Sequence, residues 1–323
     1  MKPRTHKGGA GSGRHPAGRR LRGVALVTAL LVTAVATLAA VTMASRLQLD
    51  IRRTENVLER DQAYLFGLGV ESWARQVLAE DRRNSNTDHL GEDWATVLPP
   101  LTVEGAVVSG ALEDLQGRFN LNNLVRDGRP SEPDIERFRR LLRVLELEEG
   151  LARAVADWLD RDDEPAFPDG AEDNTYLLEN PPYRTPNAPL ASASELLLIQ
   201  GMDRASYETL RPHVTALPAP TPVNVNTATI PVLMSLAEGL TRADAELLAE
   251  GRGEQGYENI DQFMNQPPFR DFAGQVTDIA VTSDYFLLRA QVQYGRSRVQ
   301  LYSLLARNPQ AGVRVAARAQ GVW

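Results

Sequence analysis

Cysteine does not occur in this 323-residue sequence, so no disulfide, thiolate metal ligand or thiol nucleophile enters its chemistry. Stability has to come from burial or from bound ions. Histidine is scarce as well: there are four, and two of them, His6 and His15, lie in the first 22 residues. The other two, His89 and His213, have no histidine partner at metal-ligand spacing, which removes the common zinc arrangements. The chain has no dinucleotide-binding glycine fingerprint, no phosphate loop and no nucleophile elbow. Paired carboxylates can hydrolyse glycosides, but the acids here crowd into one loop, which suits an ion better than a substrate. The residues read as those of a protein that is not an enzyme.

Formal charge is also missing, for twenty-two residues, between Val24 and Ser45. An α-helix rises about 1.5 Å per residue, so roughly 20 apolar residues cross the hydrocarbon core of a bilayer. The 22 residues before this run carry Lys2, Arg4, Lys7, Arg14, Arg19, Arg20 and Arg22 and no acid. By the positive-inside bias the N-terminus stays in the cytoplasm and the large C-terminal portion is periplasmic. The apolar run is longer than that of a secretory signal peptide and passes straight into an amphipathic stretch from Arg46, although removal after Ala39 or Ala44 is the alternative. Beyond the leader, 28 bases face 42 acids, a balance of −14 over 300 residues. That length suits two modest domains, and that charge argues against nucleic acid or anionic lipid as partners of the soluble part while favouring divalent cations.

After the span, Val57, Tyr64, Leu65, Leu68, Ala74, Val77 and Leu78 recur at three- and four-residue steps, which predicts one long helix ending near residues 82–86. Leu101–Val108, Ala111–Leu115 and the following Arg118–Leu124 run read as short β-like segments. Tyr285–Tyr294 puts Phe286, Leu288, Ala290 and Val292 on one face, and after Gly295 the Ser297–Leu305 run does the same with Val299, Leu301 and Leu305. Some 160 mostly helical residues separate these β regions. The class is therefore α+β, a long N-terminal helix on a small antiparallel sheet with a large all-α domain inserted. The expected divisions are 1–23, a basic leader; 24–45, the membrane half of the helix; 46–125, the stem and first part of the sheet; 126–280, the helical insertion; and 281–323, the closing strands and a tail.

Within the insertion, Asp157, Asp160, Asp162, Asp163, Glu164, Asp169, Glu172 and Asp173 are opposed by Arg161 alone, and Pro165, Pro168 and Gly170 bend the chain between them. Such repulsion calls for a hard cation. Calcium, with six to eight oxygen ligands at about 2.3–2.6 Å, tolerates irregular loops better than magnesium does. The spacing is not that of an EF-hand. The candidate ligands are Asp160, Asp162, Glu164, Glu172 and Asp173.

Farther on, two helical units turn on apolar–glycine–apolar corners, Ile199–Asp203 and Gly239-Leu240-Thr241, and resemble helix-hairpin-helix repeats, whose glycine amides can hold a DNA phosphate. Charge speaks against that use. Ser194–Gly274 has eleven acids and five bases, and the second glycine of each hairpin is replaced by Asp203 or Thr241. These units are expected to be architectural, with no nucleic acid bound.

Arg22-Gly23-Val24-Ala25-Leu26-Val27-Thr28 resembles the processing site of type IV prepilins. The resemblance implies a prepilin peptidase that cuts after Gly23 and methylates Val24. Most of that family has glutamate five residues past the cut, where this chain has Thr28. Its absence, together with Asp157–Pro165, Gly170–Tyr176 and Asn224-Val225-Asn226-Thr227-Ala228, is similar to the general secretion pathway protein K family, the large minor pseudopilins of type II secretion. The resemblance implies a pilin-like fold, bound calcium, an inner-membrane anchor, and a place at the pseudopilus tip beside minor pseudopilins of the I and J types. Rival readings are a minor pilin of a type IV pilus and a periplasmic helix-hairpin-helix protein of DNA uptake.

Overall fold

The computed structural model describes residues 18–272, 274, 276–308 and 312–321, with backbone alone for 18–23, 270 and 271. The basic leader up to Ala17 therefore lies outside the described residues. No proline interrupts the sequence between Pro16 and Pro99, and a single helix, α1, runs Gly18–Asn84, closing on Arg82 and Arg83, whose charges suit a helix C-terminus. The chain divides into two compact units, Met1–Leu58 and Glu59–Trp323. In the first unit every described side chain from Val24 to Leu58 is exposed, including Val24, Leu30, Val35 and Leu47. Among the described residues, α1 is the one helix long and apolar enough to cross a membrane.

The second unit is built around a five-stranded antiparallel sheet in the order β1 (Leu98–Val103), β2 (Ala106–Asp114), β3 (Tyr285–Tyr294), β4 (Ser297–Asn308) and β5 (Gly312–Gln320). Ala63, Val70, Ala74 and Leu78 recur at helical spacing on α1 and are buried in one cluster with Val108, Leu288, Ala290, Val292, Val299 and Leu301 of the sheet. Strand alternation places those sheet residues on one face, because Val292 pairs with Val299 and Ala290 with Leu301. Glu71 fixes the contact: its carboxylate is nearly inaccessible, accepts from the Ser303 hydroxyl at 2.6 Å, and takes a two-pronged contact from Arg318 at 2.6 and 2.8 Å.

Three sequence expectations are corrected here. Leu101–Val108 is not one strand, because Glu104 and Gly105 both take positive φ, 48° and 85°, and form a two-residue hairpin turn that pairs Val103 with Ala106. The segment expected to be a tail contains the edge strand β5. Arg118–Leu124 is mostly not strand either: two residues, Phe119 and Asn120, pair with Val214 and Thr215, and Leu121–Leu124 is a 3-10 turn capped by Asn120. Asparagine side chains explain that last difference. Asn122 donates to the Leu190 and Leu217 carbonyls and accepts from the Leu190 amide, while Asn123 pairs with both backbone groups of Thr221. These side chains do for the passing 190–221 segment what a neighbouring strand would have done.

All residues from Leu115 to Asp284 lie between the adjacent strands β2 and β3. They form a helical body with α2 (Glu132–Val144), α3 (Leu151–Leu159), α4 (Asp173–Tyr176), α5 (Arg204–Leu210), α6 (Ile230–Met234), α7 (Arg242–Gly251) and α8 (Ile260–Met264). Its core is separate from that of the sheet and includes Phe119 stacked on Phe138 at 5.2 Å between ring centres. A third small cluster, Leu115, Leu217, Leu287 and Leu304, covers the other sheet face where the body meets it.

Candidate functional site

Helix α3 delivers the acidic segment. Asp157 is on its last turn, Asp160 caps its C-terminus by an amide bond to the Ala156 carbonyl, and Glu172 sits at the N-cap of α4. All three carboxylates are almost fully buried. One oxygen of each, Asp157 Oδ1, Asp160 Oδ1 and Glu172 Oε1, is buried without a hydrogen-bond partner, and so is Asn187 Oδ1. Burial, with repulsion from Asp162 and Asp157, pushes Asp160 up to about 7; burial, with Asp157, Asp160 and Asp163, does the same to Glu172, although Thr185 opposes it. Buried anions without partners cost several kcal/mol each as an order of magnitude, so this arrangement requires protons or a cation.

The loop is tightly folded. A Cβ on Gly170 would collide with Asp157 Oδ2 and with the backbone of Ala166, so this position takes glycine only. The Asp157 Oδ2 atom accepts from the Ala166 amide at 2.9 Å, and Asn187 reaches back to the Asp162 carbonyl at 3.0 Å and to Asp163 at 2.9 Å. Arg161 is packed against Gly128.

Of the five candidate ligands, Asp160 and Glu172 each keep one buried oxygen without a partner. Asp173 is next to Glu172 in the chain but engaged by Arg184 at 2.7 Å and by Thr185. Asp162 and Glu164 are exposed, with the Asp162 carboxylate accepting from the Glu164 amide. Asp157 and Asn187 join the set without having been chosen from the sequence. The apolar residues around Asp157 in α3 marked it as inward-facing, whereas Asn187, in a proline-rich link, gave no local signal.

A different carboxylate group, Asp81, Asp88 and Glu92, brings one oxygen from each within 4.8 Å of the others, which the acidic loop does not do. Two of its three carboxylates share one cation, Arg307, which bonds Asp81 at 2.8 Å, contacts Asp88, and lies over the Phe286 ring. Burial, Glu92 and Asp88 push Asp81 up to about 6.

The Asn224–Ala228 element lies at the junction of body and sheet. Asn224 is fully buried and donates to the Asp88 carbonyl, to Asp114 Oδ2 and to the Ser283 hydroxyl; Asn226 exchanges two bonds with Tyr257. The two glycine corners, Gly201 and Gly239, have φ near 82° and 86°, and the residues that follow them, Asp203 and Thr241, cap α5 and α7 by accepting from Ser206 and Asp244 amides. At the N-terminus, Gly23 and Val24 lie within α1, Val24 is exposed, and the Thr28 hydroxyl donates to the Val24 and Ala25 carbonyls of its own helix.

Family models described as type II secretion system protein K match residues 117–219 and 223–282. The chain is 40% identical to a type II secretion system protein K of Pseudomonas aeruginosa over 288 residues, 85% of this chain and 86% of that one. It is 32% identical to the protein of that name from Aeromonas hydrophila over 316 residues, 90% and 95% of the two. Among solved structures it is similar to a chain of the GspK–GspI–GspJ complex of the enterotoxigenic Escherichia coli type 2 secretion system, with a TM-score of 0.75 and 28% identity over 84% of this chain and 100% of that chain.

Proposed function

This chain belongs to the type II secretion system protein K family and is a minor pseudopilin of type II secretion, and from that premise we propose that it stands at the tip of the pseudopilus. The observation that carries the reading is likeness over most of the chain to one member of a solved three-protein complex. By that likeness it joins minor pseudopilins of the I and J types, and the assembly they begin is extended from below to export folded proteins. The type IV pilus and DNA-uptake readings are not favoured, since the family models and the relatives named above are all described as type II secretion proteins.

In this reading a prepilin peptidase cuts after Gly23, Val24 becomes the methylated N-terminus, and residues 24–45 anchor the chain in the bacterial inner membrane with its C-terminal units in the periplasm. Thr28 supports the tip position. A subunit with none above it has no neighbouring amino group to neutralise, and a hydroxyl bonded to its own helix leaves no charge to bury. The helix-hairpin-helix-like corners serve architecture, because Asp203 and Thr241 spend their side chains as caps. The acidic loop takes calcium as a structural ion. Asp157, Asp160 and Glu172 with the Asn187 carbonyl oxygen offer an all-oxygen donor set whose buried, unpartnered atoms suit a hard cation. Bound there, calcium would join the end of α3 to the start of α4 and to the 187 region.

Intact mass measurement of the membrane-extracted protein, purified with its associated subunits, tests the reading. A chain beginning at Val24 that brings down both small minor pseudopilins is expected. A chain beginning at Met1 that brings down neither would refute it, and Gly23→Val should leave the leader attached.

A further inference from the structure

A cleft of about 360 Å³ opens where the helical body meets the sheet, between the 191–194 segment, the end of α5 and strands β3 and β4. Three guanidinium groups line it: Arg118, Arg211 and Arg289. Such a gathering is unusual in a chain with 42 acids and 35 bases. The acids near it do not balance it. Glu113 is shared by Arg118 and Arg289, the latter at 2.6 Å, and Glu208 meets Arg211 at 3.5 Å while also pairing with Arg204 at 3.0 Å. Burial first, and then the charges of Arg289 and Arg211, pull Arg118 down to about 10. An adjoining hollow of about 230 Å³ shares Arg118 and Pro212 with the cleft and is walled on one side by Leu90, Trp94 and Leu112, with Glu113 and Asp114 also on its lining.

We propose that this cleft is a carboxylate-binding site that receives an acidic side chain from a segment of a protein partner, with the adjoining hollow taking a neighbouring apolar side chain. The chemistry follows from the lining. Guanidinium forks bind carboxylates through paired, charge-assisted bonds, and an incoming anion relieves the repulsion among the three arginines. A volume of roughly 300 Å³ or a little more suits one or two side chains rather than a folded surface. A polyanion such as nucleic acid would be repelled by a chain with 42 acids and 35 bases, whereas one carboxylate on a mostly neutral segment would be repelled far less. The inference does not rest on the pseudopilin reading, since it uses only the charges and shape of this cleft.

The test uses the full chain in detergent micelles and fluorescence anisotropy with a labelled Gly-Glu-Leu-Gly peptide, its labelled Gly-Gln-Leu-Gly counterpart, both with blocked termini, and inorganic phosphate as competitor. Saturable binding of the glutamate peptide alone, weakened about tenfold by Arg211→Gln and not by Arg242→Gln, is the expected result. Arg211 and Arg242 both have well-exposed side chains, so neither change disturbs a core, and a thermal melt checks that. Equal binding of the two peptides, equal loss with Arg242→Gln, or displacement by phosphate at the peptide's own affinity would overturn the proposal. The last outcome would mark a site for small free anions.

Discussion

Replacing Asn224 with alanine would leave a backbone carbonyl, a carboxylate oxygen, a hydroxyl and the Asn226 amide without one of their partners at once. Because the site is fully buried, the expected cost is about 2–4 kcal/mol, read as a fall in the denaturation midpoint with an unchanged slope. Titration supplies a second test at this scale. Without a bound cation, Asp160 and Glu172 bind protons more tightly folded than unfolded, both standing up at about 7. In the chelated protein the contribution of these two groups is therefore expected to be complete below about pH 4 and to be lost as pH rises through about 7, the sign that follows when the native state holds the extra protons. Glu71 has the opposite sign: burial pushes it up, but Arg318 and Ser303 hold it below the usual range, so its contribution is present at neutral pH and fades in acid below about pH 4.5. Melting temperatures from pH 5 to 8 in chelator should thus decline, and Glu172→Gln should flatten much of that decline. The crowding of acids in one loop was legible from the sequence. Which of them turn inward was not, since that depends on where α3 ends and on Asn187 arriving from a distant link.

At the scale of elements, added calcium should do more than remove a pH slope. An ion bridging α3, α4 and the 187 region stabilises the folded state by mass action, about 2.7 kcal/mol at a hundredfold excess over its dissociation constant. Calorimetry of the full chain in detergent should show the melting temperature of the helical body rising with calcium and returning with chelator, while no change would remove calcium from the account. The long helix and the β3–β4 hairpin were readable from periodicity, because α1 has a proline-free run and the strands keep strict alternation around Gly295. The Glu104–Gly105 turn was not, as its first residue is one that rarely adopts positive φ. Leu121–Leu124 escaped for a different reason: its asparagines are polar in sequence yet buried in the fold, paired with backbone almost a hundred residues away.

For the whole molecule, export is the measurement. Deleting residues 24–45 is expected to abolish secretion of the system's exported proteins by a strain lacking the native copy, whereas Thr28→Glu is expected to change it little. Normal export by the deletion would remove the anchoring role. The helical body with its acidic loop, and the Arg118 and Arg211 side of the cleft, belong to the segment between Asp114 and Phe286, and those two residues are themselves a facing pair in the sheet. The chain thus leaves the small β scaffold and comes back to it at neighbouring points, as a branch leaves and rejoins a trunk at one node. A segment attached in that way can be enlarged, trimmed or exchanged without altering the order of the strands beneath it.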